Sequence, residues 1–196
     1  ESIKVTDPQS FTLDDKDPYR VQIIPSGPDT EYAPILRLIV SAIHRAQQRV
    51  YLTTPYFVPD ESALMALTSA ALKGLDVRIL VPKRSDNIMV TWAARSWYQE
   101  LIQAGVKIYE YGPRMLHTKT IVVDEYLSFI GSANFDNRSF YINFELLVVC
   151  FDKEANKLQH NEFMQALESA ERIYQHQPHF GQRIIESLAR LMAPLL

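Results

Sequence analysis

The spacing of apolar and polar positions alternates between strand-like and helix-like over the first half of the chain. Residues 19–25 (YRVQIIP) and 49–59 (RVYLTTPYFVP) are typical of strands. Between them, apolar residues recur every three or four positions, which predicts an amphipathic helix. Those residues are Ile35, Leu38, Ile39, Ala42, Ile43 and Ala46. A second helix is predicted from about Asp60 to Gly74, because glycine commonly follows the last residue of a helix.

The same alternation continues as far as residue 111. Residues 76–82 (DVRILVP) form a nearly continuous apolar run, the pattern of a strand that is covered on both faces. A third helix is predicted at residues 87–104, and residues 106–111 (VKIYEY) return to strand spacing. Strands that alternate with helices favour an α/β fold with a largely parallel sheet.

Strands follow one another more closely after Gly112. Residues 116–124 (LHTKTIVVD), 126–131 (YLSFIG) and 144–151 (FELLVVCF) predict hairpin-like strands with short breaks between them. Residues 154–175 then have helical spacing. The predicted fold class is therefore α/β, with a mixed, largely parallel sheet flanked by helices.

The two ends of the chain differ from this centre. Residues 1–18 are polar and aperiodic, so we expect an extended arm or linker ahead of one α/β domain at residues 19–176. Residues 177–196 predict a short amphipathic helix, which either packs on this domain or its partner or lies in a membrane interface. Its apolar stripe consists of Ile184, Ile185, Leu188, Leu191, Met192 and Leu195, with Arg183, Glu186 and Arg190 opposite.

Composition and charge narrow the classes of function. With 47% hydrophobic and 22% charged residues, the chain is expected to form a soluble globular domain, and no apolar run approaches the roughly 20 residues of a membrane span. The formal net charge of -3 provides no overall basic field, so nucleic acid is not an expected partner. Cys150, the lone cysteine, predicts a buried, reduced thiol. The start at Glu1, without methionine, is what we expect of a piece of a longer protein.

Polar side chains that are costly to bury interrupt the apolar runs of the second half. His117 and Lys119 are two apart, so on a strand they project from the same face. Ser132 and Asn134 are likewise two apart and follow Gly131, whose missing side chain permits close backbone approach. A histidine, a lysine and an asparagine that converge combine a nucleophile or proton carrier with two donors for phosphate oxygens. This set predicts phosphodiester chemistry.

A simpler interpretation is that His117 is a satisfied structural residue, as a single strand histidine usually is. Lys119 is evidence against this structural interpretation. Lysine is seldom buried, and because Lys119 adjoins an apolar run that is expected in the core, its ammonium needs a cavity or a partner. Asp124 is five residues beyond Lys119, so its carboxylate would face away and is predicted to be structural. The other histidines lack a clustered ligand set, and we expect no metal and no cofactor.

These residues resemble the signature of the phospholipase D superfamily. Four further segments look like the C-terminal catalytic half of bacterial cardiolipin synthases, so the resemblance covers nearly the whole chain from Tyr19. The segments are TTPYFVPDE, LDVRILVP, GVKIYEYGPRMLHTKT and GSANFDNRSFYINFE. The motif itself, with the spacing of the superfamily, is His117-x-Lys119, four residues, Asp124, six residues, Gly131-Ser132-x-Asn134.

The resemblance implies a role for each residue. In the superfamily two such motifs face each other across one site, where one histidine attacks phosphorus and the other protonates the leaving alcohol. As the C-terminal half, this chain would supply His117 as general acid and base, with Lys119 and Asn134 at the phosphate oxygens and Ser132 close by. Glu145 matches the carboxylate that hydrogen-bonds the catalytic histidine. The alternative for Glu145 is a strand-end charge that faces water.

The implied reaction transfers a phosphatidyl group from one phosphatidylglycerol to the hydroxyl of another and releases glycerol. The implied partners are this phospholipid, the membrane surface at the cytosolic face of the cytoplasmic membrane, and an N-terminal half with the second motif or a second copy of the chain. The excised chain is expected to be inactive alone. Two alternatives are a homodimeric phosphodiesterase or nuclease, which the acidic charge disfavours, and an inactive lipid-binding half, which the intact motif disfavours.

Overall fold

The structure, a computed structural model, describes residues 20–193, so the predicted arm at residues 1–18 and Leu195 of the C-terminal stripe lie outside the described residues. The strands are β1 Val21–Ser26, β2 Arg49–Thr53, β3 Phe57–Val58, β4 Asp76–Pro82, β5 Lys107–Tyr111, β6 Thr120–Val123, β7 Leu127–Gly131, β8 Phe135–Asp136, β9 Glu145–Cys150 and β10 Ala170–Ile173. The helices are α1 Pro34–Arg45, α2 Glu61–Leu72, α3 Ile88–Ser96, α4 Tyr98–Gln103, α5 Asn137–Tyr141, α6 Lys153–Glu168 and α7 Phe180–Leu191.

An eight-stranded sheet in the order β1-β9-β7-β6-β2-β4-β5-β10 forms the centre of the molecule, and β3 pairs with β8 separately. Helices flank the large sheet, so the predicted α/β class with a mixed sheet is confirmed. The prediction that the sheet is largely parallel is wrong. Among the described residues, only the pairs β2–β4 and β4–β5 of this sheet are parallel. Helices connect these three neighbouring strands in sequence, whereas the hairpin-like strands and both edge strands pair antiparallel.

Two helices differ from their predicted extents. The helix predicted at residues 87–104 is divided at Trp97 into α3 and α4, and the rings of Trp97 and Tyr98 are both buried. The helix predicted at residues 154–175 ends at Glu168, and β10 follows it. β10 pairs antiparallel with β5, whose edge would otherwise present unpaired backbone groups. Both differences come from tertiary contacts, which local spacing does not record.

The core has two parts, one on each face of the eight-stranded sheet. The main part lies between the sheet and α1, α2 and α3. The smaller part lies under α6 and contains the side chains of Tyr51, Leu80, Leu116, Val122 and Phe163. Leu116 is buried in this smaller part, and its burial positions the next residue, His117, at the margin of the sheet.

Candidate active site

Most polar residues of the motif lie at one end of the strands of the sheet, which we call the site edge. At this edge β2 and β4 end, β6 and β9 begin, and β7 ends. The register brings these ends together, because Thr120 lies opposite both Thr53 and Ile130, and Gly131 lies opposite Leu147. The polar residues next to these positions are Lys119, Ser132 and Glu145.

His117 and Lys119 lie in the extended segment between β5 and β6. β6 begins at Thr120, so the strand is shorter than predicted and includes neither residue, although the Lys119 carbonyl accepts the Gly131 N–H at 3.3 Å. The His117 side chain is exposed, and its imidazole makes no hydrogen bond with any residue between 20 and 193. The half-buried Lys119 ammonium donates to the His117 carbonyl oxygen at 2.9 Å. The imidazole is therefore accessible to a ligand beside a lysine that is already oriented.

Asn134 contributes an amide next to Lys119. Both side chains line a cavity of about 10 Å³ at the sheet edge. The Asn134 segment is held by hydroxyl groups, because its N–H donates to Ser139 Oγ and the following N–H, of Phe135, donates to Thr54 Oγ1, both at 3.0 Å. The Asn134 Oδ1 atom is buried and has no hydrogen-bond partner among the described residues. This oxygen accepts hydrogen bonds, so a ligand group that donates one would satisfy it, whereas the amide nitrogen of Asn134 is the atom that can donate to a phosphate oxygen.

Ser132 and Glu145 are hydrogen-bonded to each other. The Ser132 hydroxyl donates to Glu145 Oε2 and accepts the Leu146 N–H at 3.0 Å. The Asn143 amide donates to the other carboxylate oxygen, Oε1, at 3.2 Å. The Glu145 side chain is thus held in place at the site edge by two donors. Neither donor is the His117 imidazole, and the pairing of Glu145 with a catalytic histidine stays a prediction.

Burial lowers the pKa of Lys119, because a half-buried ammonium has lost part of its hydration. The carboxylates of Glu145, Asp136 and Asp86 oppose this shift by stabilising the charged form. Burial likewise raises the pKa of Asp136, against the hydrogen bonds that its carboxylate accepts. A phosphate oxygen at Lys119 would replace the water that the ammonium has lost, with a charge-assisted hydrogen bond.

The motif spacing does not predict two of these carboxylates. Asp136 is two residues beyond Asn134 and precedes α5, where it accepts a backbone N–H of the first turn at 2.7 Å. The alternating spacing and this helix-start pattern are signals from which Asp136 could have been identified. Asp86 follows β4 and accepts the Tyr56 hydroxyl at 2.7 Å. Nothing in its local sequence marks Asp86, because only the folded sheet brings its loop to the site.

Asp124 lies at the opposite end of β6 from Lys119, so the structure does not bring it into the site. Its carboxylate is 7% exposed and accepts the backbone N–H groups of Gln47, Gln48 and Arg49 at 2.8–3.2 Å. These bonds connect the loop after α1 to the turn between β6 and β7. The backbone φ of Asp124 is 51°, a left-handed conformation that aspartate tolerates better than most residues.

Replacing Gly131 by alanine is expected to destabilise the site edge. A Cβ at this position would overlap the Leu146 carbonyl oxygen and come within 3.1 Å of Leu147 Cα. Because both atoms belong to the backbone of β9, β7 and β9 would have to separate where Ser132 meets Glu145. We expect the free energy of unfolding, measured in urea, to fall by roughly 2 kcal/mol.

Gly112→Ala is the matched control for this substitution. A Cβ at Gly112 would meet only the Lys83 side chain, at 3.7 Å, so we expect a change below about 0.5 kcal/mol. Equal losses in the two variants would show that the close approach of β7 and β9 is not the cause.

The groups that the sheet edge presents to a ligand are the His117 imidazole, the Lys119 ammonium and the Asn134 amide. Residues 20–193 contain no cluster of three or more histidine, cysteine or carboxylate side chains arranged to hold a metal ion. None of the helices in this part of the chain combines the length and apolar composition that a membrane span requires.

A known family has this sequence pattern. The family model described as "Cardiolipin synthase, PLD-like domain" matches residues 39–167. The chain belongs to this family. A cardiolipin synthase from Geobacillus sp. is 45% identical over 180 residues, which make up 90% of this chain and 36% of that protein. The chain therefore spans little more than a third of the length of this cardiolipin synthase.

Solved structures share the fold of this PLD-like domain. Nuc, a phospholipase D family member from Salmonella typhimurium, matches 79% of this chain and 98% of its own, with a TM-score of 0.68 at 21% identity. A phosphatidylserine synthase from Haemophilus influenzae matches 90% of this chain and 46% of its own, with a TM-score of 0.68 at 14% identity. The predicted phospholipase D fold is confirmed. It occurs both as nearly a whole chain and as about half of one.

Proposed function

We propose that this chain is the C-terminal half of a cardiolipin synthase that transfers a phosphatidyl group from one phosphatidylglycerol to another and releases glycerol. The observation that carries the proposal is that Lys119 and Asn134, whose ammonium and amide N–H groups are donors, line one cavity beside the segment of His117. An ammonium and an amide can hold the nonbridging oxygens of a phosphodiester. An accessible imidazole can carry the proton that a leaving or attacking alcohol requires.

Two displacements at phosphorus make up the proposed reaction. In the first, a histidine of the second motif attacks phosphorus, and the bond from phosphorus to the glycerol oxygen breaks as His117 gives that oxygen its proton. In the second, His117 takes the proton from a hydroxyl of another phosphatidylglycerol, whose oxygen attacks the phosphorus of the phosphohistidine; the bond from phosphorus to the histidine nitrogen breaks, and cardiolipin is released.

The other site residues would support both displacements. Lys119 and Asn134 would stabilise the charge that develops on the nonbridging oxygens. Glu145 would orient a catalytic imidazole and stabilise its protonated form, with Ser132 holding the carboxylate in place. Water must be kept from the phosphohistidine, because it would otherwise compete with the acceptor alcohol.

An uncovered part of the sheet supports the need for a second motif. α6 packs on β2, β6 and the start of β7 on one face, and beyond it the same face of β1, β9 and the end of β7 carries apolar side chains. These are Val21, Ile23, Ile130 and Leu146, each at least 37% exposed. Among residues 20–193 no helix covers this patch, which lies next to the site edge. An apolar patch of this kind is typical of a protein interface.

We infer that the N-terminal half of the same protein covers this patch and supplies the second histidine. The Geobacillus relative, of which this chain covers 36%, has ample length for such a half. A second copy of the chain is the alternative occupant, because it would bring a second His117. In this proposal the whole protein acts on a phospholipid, and it therefore works at the cytosolic face of the cytoplasmic membrane.

The test compares the 196-residue chain with a protein that joins it to an upstream half carrying the second motif. With vesicles that contain phosphatidylglycerol, we expect the joined protein to form cardiolipin and glycerol in equal amounts and the chain alone to form neither. Phosphatidic acid as the only lipid product would contradict transfer. If the chain forms cardiolipin as a monomer, the proposal that a second motif is required is wrong. If a dimer of the chain forms cardiolipin, the partner is a second copy of the chain.

A further inference from the structure

Helix α7 turns its large apolar side chains away from the protein. On a helix, at about 100° per residue, they fall within an arc of about 140°. They are between 42% and 80% exposed. The residues are Phe180, Ile184, Ile185, Leu188, Leu191 and Met192. We call this set the α7 stripe.

A different side of α7 attaches the helix to the domain. Glu186 is 4% exposed, and both of its carboxylate oxygens lie 2.9 Å from His176 Nε2. Ala189 is buried in the main core, and the Arg190 guanidinium lies over the Trp97 ring at 5.0 Å. The helix is therefore held by a small and polar side, and the α7 stripe is not needed for its attachment.

The charges of α7 favour a negatively charged partner. Its one acidic residue, Glu186, is buried, whereas Arg183 and Arg190 are exposed. Arg190 pairs with Glu100 at 3.5 Å, so Arg183 is the arginine of α7 that is available to a partner. Together with Glu186, Ser187 and His176, the two arginines line a cleft of about 410 Å³ along the border of the helix. Apolar side chains on one side and the exposed Arg183 beside them fit a surface that has phosphates above an apolar layer.

We propose that α7 lies in the surface of an anionic phospholipid bilayer, with the α7 stripe among the acyl chains and Arg183 at the phosphates. This rests on the proposed function in two respects: a lipid-processing enzyme works at a bilayer, and the other half of the protein covers the patch on β1, β7 and β9. The other half of the protein is not expected to cover the α7 stripe. The patch that we assign to that half lies on β1, β7 and β9, whereas α3 connects β4 and β5 on the other side of the sheet. α7 packs on α3.

The test measures binding of the 196-residue chain to vesicles by sedimentation, without any turnover. We expect binding to vesicles of phosphatidylglycerol and phosphatidylcholine, and much weaker binding to phosphatidylcholine alone. The double substitution Ile184→Ser and Leu188→Ser is expected to lower the partition coefficient on the order of a hundredfold, about tenfold for each side chain. Arg183→Ala is expected to weaken binding only to the anionic vesicles.

Leu72→Ser is the matched control, because Leu72 lies on α2 and is as exposed as the stripe, at 73%. It should bind vesicles as the unaltered chain does. Unfolding curves in urea will show that the stripe variants fold.

Three results would overturn the proposal. The first is unchanged vesicle binding in the stripe variant, and the second is an equal loss in Leu72→Ser. The third is a shift from dimer to monomer in analytical ultracentrifugation of the stripe variant, since the α7 stripe would then be a protein interface. None of these results depends on whether cardiolipin is formed, so failure of the proposed function would be seen separately.

Discussion

Replacing His117 by alanine in the protein that carries both motifs is expected to lower cardiolipin formation on the order of a thousandfold or more. The exposed imidazole is the proton carrier beside Lys119, and alanine can neither protonate the glycerol oxygen nor accept a proton from the incoming hydroxyl. The measurement is the rate of cardiolipin release from phosphatidylglycerol vesicles. His44→Ala is the control, because His44 is an exposed histidine on α1 whose imidazole hydrogen-bonds the Val40 carbonyl oxygen at 2.8 Å, within its own helix.

A second substrate separates proton transfer from a structural effect of the same substitution. A phosphatidyl ester of para-nitrophenol has a leaving group that needs no proton. If His117 is the general acid, His117→Ala should slow release of para-nitrophenol by no more than about tenfold. Equal losses with both substrates would mean that the substitution disturbs the site in another way. Unchanged cardiolipin synthesis would remove His117 from the mechanism.

Replacing Asp124 by alanine is expected to lower the free energy of unfolding by roughly 3 kcal/mol. Its buried carboxylate accepts the N–H groups of Gln47, Gln48 and Arg49, and alanine would leave these donors without their partner. Alanine is also unfavourable at the positive φ of this position. Urea denaturation of the 196-residue chain measures the loss without any assay of activity.

Two controls isolate the role of the Asp124 carboxylate. Asp124→Asn keeps an acceptor oxygen and tolerates the left-handed backbone, so we expect a smaller loss than with alanine. Glu125→Ala changes the neighbouring exposed acidic residue and should alter the free energy of unfolding by less than about 0.5 kcal/mol. A loss for Glu125→Ala as large as that for Asp124→Ala would mean that the turn, and not the carboxylate, is responsible.

Elements whose burial repeats regularly along the chain could be predicted from the sequence. β4 is a nearly continuous apolar run because it is covered on both faces. α2 begins after Asp60, as predicted, and the Asp60 side chain accepts the Ala63 N–H at 2.8 Å. The direction of the edge strands could not be predicted in this way. β1 pairs antiparallel with β9 through contacts between distant parts of the chain, which leave no local pattern.

The candidate site, like the fold, could be predicted from the sequence only in part. Motif spacing identifies His117, Lys119 and Asn134, and the fold brings the last two to one cavity. The partners of these groups depend on loops that are remote in sequence. Asp86 reaches the site from the loop after β4, and it acts on the Lys119 ammonium only because β2, β4 and β6 are neighbours in the sheet.

Helix α7 shows this division most clearly. The sequence by itself determined that the segment is helical and that its large apolar side chains share one side, because helical periodicity is a property of neighbouring residues. Only the tertiary structure decided which side is buried. Glu186 finds His176 and Ala189 fits against the core, so the small and polar side packs while the apolar side stays exposed. Burial of a helix face depends on a complementary surface built from remote segments, and local spacing contains no information about that surface.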